Sequence, residues 1–222
     1  MLLALDTSTT QTGLALYDGI RMHAEMTWYS QRRQTEELAP AILELLSRVG
    51  MTMLQVKAIG VAIGPGSFTS LRVGLSLAKG LAMAGHIPLI GIPTLDVLVA
   101  SVPLQEIPLA AVLQAGRGRL AVGWYHASPI GWLSDGDAVV QTAEELTNAI
   151  HTPTLVCGEL EEADRQRLQR KYKNVTLPSP ARCVRRSGLL AELAWQRWQS
   201  GVVDKVASLA PVYLHVAGGP PA

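Results

Sequence analysis

The chain has 222 residues, of which 48% are apolar and only 5% aromatic, and a formal net charge of +1. That length can bury a real core in one large or two small domains, and the apolar fraction excludes a disordered chain. A near-neutral balance also excludes the concentrated basic excess of a dedicated nucleic-acid binder.

The opening Met1-Leu-Leu-Ala-Leu-Asp6 is a strand signal and lacks the basic start and apolar run of a signal peptide. The segment 7–12 is a polar turn, and 13–17 is a second strand. Asp18-Gly19 is a hairpin signal that returns 20–29 as a third strand. A helix follows over 35–49, with Thr35 as its N-cap, Glu36 and Glu37 at its positive end and Gly50 as its stop. The residues 56–63 form a buried strand, Gly64-Pro-Gly-Ser67 a tight loop, and 69–84 a second helix ended by Gly85. A strand at 88–92 completes a βαβ unit with a parallel pair, and a third helix begins at Thr94.

The run 103–108 is the expected boundary, giving an N-terminal lobe over 1–104 and a smaller C-terminal lobe over 105–222. The end of the chain is a candidate to pack back on the first lobe. In the second lobe, strands are expected at 109–113, 120–125 and 154–157. Helices are expected at 143–150, 161–172 and 187–199. The tail Ala217-Gly-Gly-Pro-Pro-Ala222 is expected to fray.

The most apolar stretch, 71–100, is interrupted by Arg72, Lys79, His86 and Asp96, so no transmembrane helix is predicted. Cys157 and Cys183 lack metal-ligand spacing; they read as plain thiols of a reducing cytosol, with a disulfide between them as the alternative, and a cytoplasmic location is expected. The five histidines show no metallopeptidase spacing, and nothing resembles a nucleophile elbow. The mixed run of charge over 161–173 is a solvated helix face.

Two motifs carry the functional reading. Asp6-Thr7-Ser8-Thr9 ends a strand with a carboxylate and small hydroxyls. It can present a phosphate and magnesium site, or form an ordinary turn in which Asp6 bonds its own backbone. Gly64-Pro-Gly66-Ser67-Phe-Thr-Ser70 joins a buried strand to a helix. It can bind an anion at the helix start, or simply cap the helix, and it is neither a Walker loop nor a Rossmann fingerprint.

The first two helices carry a third signal. Their apolar residues span roughly 200° of the wheel, about twice what a surface helix needs to face one sheet. Another part of the chain or another subunit must cover them.

The strings Leu3-Ala-Leu-Asp6-Thr-Ser-Thr9, Gly64-Pro-Gly-Ser-Phe-Thr-Ser-Leu-Arg72-Val-Gly74, Gly91-Ile-Pro-Thr-Leu95 and Ala210-Pro-Val-Tyr213-Leu214 resemble, in order and spacing, the TsaB (YeaZ) family. The resemblance implies a two-lobed α/β fold of the actin, Hsp70 and sugar-kinase superfamily, with ribonuclease H-like lobes. It implies a non-catalytic partner of TsaD that, with the ATPase TsaE, installs threonylcarbamoyl on the adenosine beside the anticodon of tRNAs. ATP or ADP and metal are then expected in the partners and none in this chain, and tRNA is met through the complex.

The candidate partner interface is Leu38, Ile42 and Leu45 on the first helix with Leu71, Gly74, Leu75, Ala78 and Ala82 on the second. The same faces should pair as a homodimer when the partner is absent. Asp6, Thr7, Ser8, Gly64, Gly66 and Ser67 are left as a degenerate nucleotide site, because active kinases of the superfamily carry glycine close after the first aspartate. No catalytic residue and no metal ligand is expected. The alternatives are an ATP-hydrolysing or phosphotransfer enzyme built on Asp6 and the Gly64 loop, and a glycoprotease-like metallopeptidase, against which the missing histidine pair counts. The chain departs from the family pattern at Gln34-Thr35, Ser70, Gln114-Ala-Gly116 and His215.

Overall fold

A computed structural model describes residues 1–31, 33–171 and 173–214, so His215 and the expected fraying tail lie outside the described residues. In chain order the elements are β1 (Leu2–Asp6), β2 (Gln11–Tyr17), β3 (Met22–Tyr29), α1 (Gln34–Arg48), β4 (Ala58–Ala62), α2 (Phe68–Gly85), β5 (Leu89–Ile92) and α3 (Thr94–Val99). They continue as β6 (Leu109–Gly116), β7 (Arg119–Ser128), β8 (Gly131–Ser134), β9 (Val139–Gln141), α4 (Ala143–Ala149), β10 (Thr154–Gly158), α5 (Glu162–Gln169), β11 (Val175–Thr176) and α6 (Ser187–Gln199). Among the described residues no helix is long and apolar enough to cross a membrane.

The chain forms two compact units. The first comprises Met1–Val97 together with Arg186–Val212. Its sheet has the order β3-β2-β1-β4-β5, antiparallel through β3, β2 and β1 and parallel from β1 through β5. Strand alternation sends Leu3, Leu5, Leu14, Leu16, Ile59 and Val61 to one face, where α1 and α2 cover them. Leu2, Ala4, Ala15, Ala58 and Ile90 point to the other face, where Leu190, Ala191 and Ala194 of α6 cover them. Glu25 of β3 accepts the Gly188 backbone N–H at 2.9 Å and fixes the start of α6.

This assignment of α6 differs from the expected division at 104/105. The reason is the apolar face of α6, which lies on the first sheet. After α6 the chain stays with this unit as far as Val212. The Asp204 carboxylate accepts the Gly91 N–H at 2.8 Å, and the Val212 N–H donates to the Ile63 carbonyl at 2.7 Å.

Helix ends follow local chemistry, with two corrections. At the end of α1, Gly50 takes a positive φ. Its N–H reaches the Ser47 carbonyl, and the Met51 N–H reaches Leu46. At its start Gln34 already lies in the helix and Thr35 caps nothing; the N-cap is Arg33, without a side-chain bond. In α2 the left-handed residue is His86 rather than Gly85.

The second unit comprises Leu98–Arg185 together with Tyr213 and Leu214 among the described residues. Its sheet runs β11-β10-β6-β7-β8, with β9 also paired to β7. One face, from Ala110, Val112, Leu120, Val122 and Val156, is covered by α4 and α5. The β6–β7 hairpin is longer than predicted, because Arg117 and Gly118 both take positive φ and form the tight turn themselves. The short strands β8 and β9 were not predicted. The start of α4 is a capping box between Thr142 and Glu145.

Candidate functional site

The loop after β1, the loop before α2 and the start of α3 meet at the C-terminal ends of β1 and β4. The Asp6 carboxylate accepts the Ser8 N–H at 2.8 Å, turning the chain sharply after β1. The Thr7 hydroxyl donates to the Ser70 carbonyl at 2.7 Å. The Ser8 hydroxyl lies 2.8 Å from that of Thr94, which also accepts the Gly64 N–H at 3.0 Å. The Ser67 N–H donates to the Ser8 carbonyl at 2.7 Å. Asp6, Thr7, Ser8 and Thr94 are buried.

The structure therefore brings together all six residues of the predicted nucleotide motif, and adds Ser70, Gly74 and Thr94. Its glycines serve close backbone packing. A β-carbon on Gly66 would stand 2.2 Å from the Ser8 carbonyl oxygen. At Gly64, where φ is +111°, it would stand 2.4 Å from the Val212 carbonyl oxygen. The Gly64–Pro65 peptide is cis. Among the described residues no three histidine, cysteine, aspartate or glutamate side chains gather to hold a metal ion.

Of the eight residues expected at the partner interface, Leu38 also lines the groove between α1 and α2, and the other seven do not. Leu38, Ile42, Leu45, Leu71, Gly74, Leu75, Ala78 and Ala82 are all buried within the first unit. Two helices lying side by side on a sheet consume the inner part of each apolar arc, and these residues sit there. The outer part forms a groove of about 550 Å³ between α1 and α2, lined by Ala39, Phe68, Val73, Leu77 and the rim residues Thr35 and Arg72. Phe68 is 52% exposed, and the Arg72 guanidinium lies 3.6 Å from its ring centroid. Leu43 and Met83 add exposed apolar surface on the same two helices. Beside the groove the Trp28 indole N–H donates to Glu37 at 3.0 Å, and Arg33 pairs with the same carboxylate at 3.1 Å. The indole bond, then a Ser30 bond, hold the Glu37 carboxyl below its ordinary range.

Two α/β units, the first built as an antiparallel meander continued by parallel strands, define the fold class: the actin-, Hsp70- and sugar-kinase-like fold with ribonuclease H-like lobes. The solved YeaZ of Pseudomonas aeruginosa shares the fold at a TM-score of 0.78 and 24% identity, over 96% of this chain and 99% of that one. Residues 28–217 match the family model described as TsaD, tRNA N6-adenosine threonylcarbamoyltransferase. The chain is 42% identical over 98 residues to the tRNA threonylcarbamoyladenosine biosynthesis protein TsaB of Haemophilus influenzae, covering 44% of this chain and 41% of that protein. It is 33% identical over 124 residues to the TsaB of Bacillus subtilis, covering 56% and 54%. These matches span about half or less of the curated relatives' length. The chain belongs to the TsaD family of that model, on its TsaB (YeaZ) side.

Proposed function

We propose that this chain is a non-catalytic subunit of the assembly that forms N6-threonylcarbamoyladenosine on tRNA, working beside a TsaD-like catalytic subunit and a TsaE-like ATPase. The printed role of its TsaB relatives, threonylcarbamoyladenosine biosynthesis, supports the pathway. One observation carries the non-catalytic part. The loop that would cradle phosphate is closed by its own groups: the N–H groups of Ser8, Gly64 and Ser67 are spent on Asp6, Thr94 and Ser8. The Thr7 and Ser8 hydroxyls are likewise engaged within the fold, by the Ser70 carbonyl and the Thr94 hydroxyl, which supports reading the loop as a structural turn rather than a nucleotide cradle. ATP and metal then belong to the partners, and tRNA is met through the complex.

The docking surface in this reading is the α1–α2 groove, with Phe68, Val73 and Leu77 as its apolar floor. An open apolar groove of this kind is covered by a partner helix, or by a second copy of the chain when the partner is absent.

Reconstitution tests the proposal. Threonylcarbamoyladenosine formation by the catalytic subunit and the ATPase should require this chain, while the chain alone should neither hydrolyse ATP nor bind it in calorimetry. ATP turnover by the isolated chain that Asp6→Asn abolishes would instead establish the phosphotransfer alternative.

A further inference from the structure

Cys157 is the fourth residue of β10, and Cys183 follows the 3₁₀ turn Pro180–Arg182. Strand alternation turns Val156 into the core beneath α4 and α5, and turns Cys157 to the opposite face of the sheet, where that turn lies. The two sulfurs are 3.5 Å apart, with the Cys157 thiol donating to Cys183, and neither is in a disulfide. Both are buried, Cys157 at 1% and Cys183 at 7% exposure, while Ser179, Pro180, Ala181 and Arg182 just before Cys183 are exposed.

Two residues further along each segment, Glu159 and Arg185 form an ion pair, and the arginine side chain is fully buried. The same two stretches of chain are thus joined twice. The ion pair holds the register in which the sulfurs face each other. A disulfide needs its sulfurs at about 2.05 Å, so closure asks for a shift of roughly 1.5 Å, within the reach of a short surface turn.

The hydrogen bond from Cys157 draws the Cys183 thiol down to about 6 against its burial, helped by the Gly158 N–H and the Arg165 charge. The same bond, with burial, pushes Cys157 well above the ordinary thiol range. Cys183 is therefore the thiolate of the pair and Cys157 keeps the proton. A thiolate one residue from solvent is the attacking partner in peroxide chemistry.

We propose that Cys157 and Cys183 form a reversible intrachain disulfide, a redox clasp on the second unit that is closed by hydrogen peroxide and opened by a dithiol. The Cys183 thiolate attacks one peroxide oxygen, the O–O bond breaks and hydroxide leaves, so Cys183 becomes a sulfenic acid. The Cys157 sulfur gives up its proton and attacks the Cys183 sulfur, the S–O bond breaks, and the departing oxygen leaves as water. Two thiols and one peroxide become one disulfide and two waters, with two electrons passing from sulfur to oxygen.

The full chain treated with a small excess of hydrogen peroxide should lose two hydrogen atoms in its intact mass. It should yield one cross-linked peptide joining Cys157 to Cys183, and dithiothreitol should reverse both. The urea midpoint should rise on oxidation and return on reduction, because a closed loop restricts the unfolded chain. Cys157→Ala should stall at Cys183 sulfenic acid, captured by dimedone, and Cys183→Ala should give neither product. An unchanged mass, a stable added oxygen, or disulfides only between molecules would overturn the clasp. Absence of dimedone capture in Cys157→Ala would overturn Cys183 as the attacking thiol.

Discussion

Gly74 of α2 lies against Thr7 of the β1–β2 loop: a β-carbon at position 74 would stand 2.1 Å from the Thr7 hydroxyl oxygen. That hydroxyl meanwhile donates to Ser70, one turn earlier in the same helix. Thr7 is thus the seat of α2. Gly74→Ala should destabilise the fold by about 1–3 kcal/mol, the usual cost of overpacking. Thr7→Ala should cost about 1–2 kcal/mol through the lost bond, and the double variant should be less destabilised than the sum of the two. Urea unfolding of all four proteins checks this, and strict additivity would refute the contact.

Ala78 is fully buried on the sheet side of α2. Ala78→Glu therefore forces a carboxylate into the core, and should cost about 3 kcal/mol or more or leave the chain unfolded. Small-residue spacing suggests this position as a partner contact, but its burial within the unit makes it a core position. Circular dichroism and the yield of soluble protein report the outcome.

Phe68 gives the cleaner test of the groove. Phe68→Asp sits at the first turn of α2, where an acidic residue suits the helix, so the isolated chain should keep its stability. Its affinity for a TsaD-like subunit should fall about 30-fold, the loss of roughly 2 kcal/mol typical of a central aromatic anchor. Calorimetry with the purified partner measures it, and unchanged affinity would place the interface elsewhere.

Asp6→Asn keeps an oxygen able to accept the Ser8 N–H, so the turn should survive at a cost of about 1 kcal/mol. If the loop is structural, reconstituted tRNA modification should persist at near the parent rate. Loss of modification from a complex that still assembles would make Asp6 part of the chemistry.

Glu37 carries a pH dependence of known sign. Its carboxyl is held below the ordinary glutamate range in the folded chain, first by the Trp28 indole. The stabilisation is therefore complete above the unfolded value and is lost as pH falls through the folded one. Melting temperatures between pH 6 and about 3 should fall more steeply for the parent than for Glu37→Gln.

Much of the first unit was legible because its signals are local. Alternating and unbroken apolar runs marked β1, β4 and β5, and the bounds 187–199 of α6 matched the sequence reading. Contacts across distance were not legible. Periodicity measured how wide the apolar arcs of α1 and α2 are, but not that the sheet takes their inner halves. Thr94 lay in a quoted motif, yet only the fold brings it to Ser8 and Gly64. The contact of Cys157 with Cys183 crosses a helix and a strand and leaves no trace in spacing. The strands β8 and β9 are short and half-exposed, with Gly131 opening β8 and Gly136 between the two, so they present no clear apolar alternation to read.

Covering one face of the first sheet with α6 has a consequence for synthesis. Leu2, Ala4, Ala15 and Ala58 emerge from the ribosome early, while Leu190, Ala191 and Ala194 emerge only after Leu98–Arg185 of the second unit has been made. At about 5–20 residues per second the intervening hundred or so residues take roughly 5–20 s, and for that interval the nascent sheet has a bare apolar side. The sheet of the first unit therefore stays open on that side until α6 is made, long after its own strands are complete.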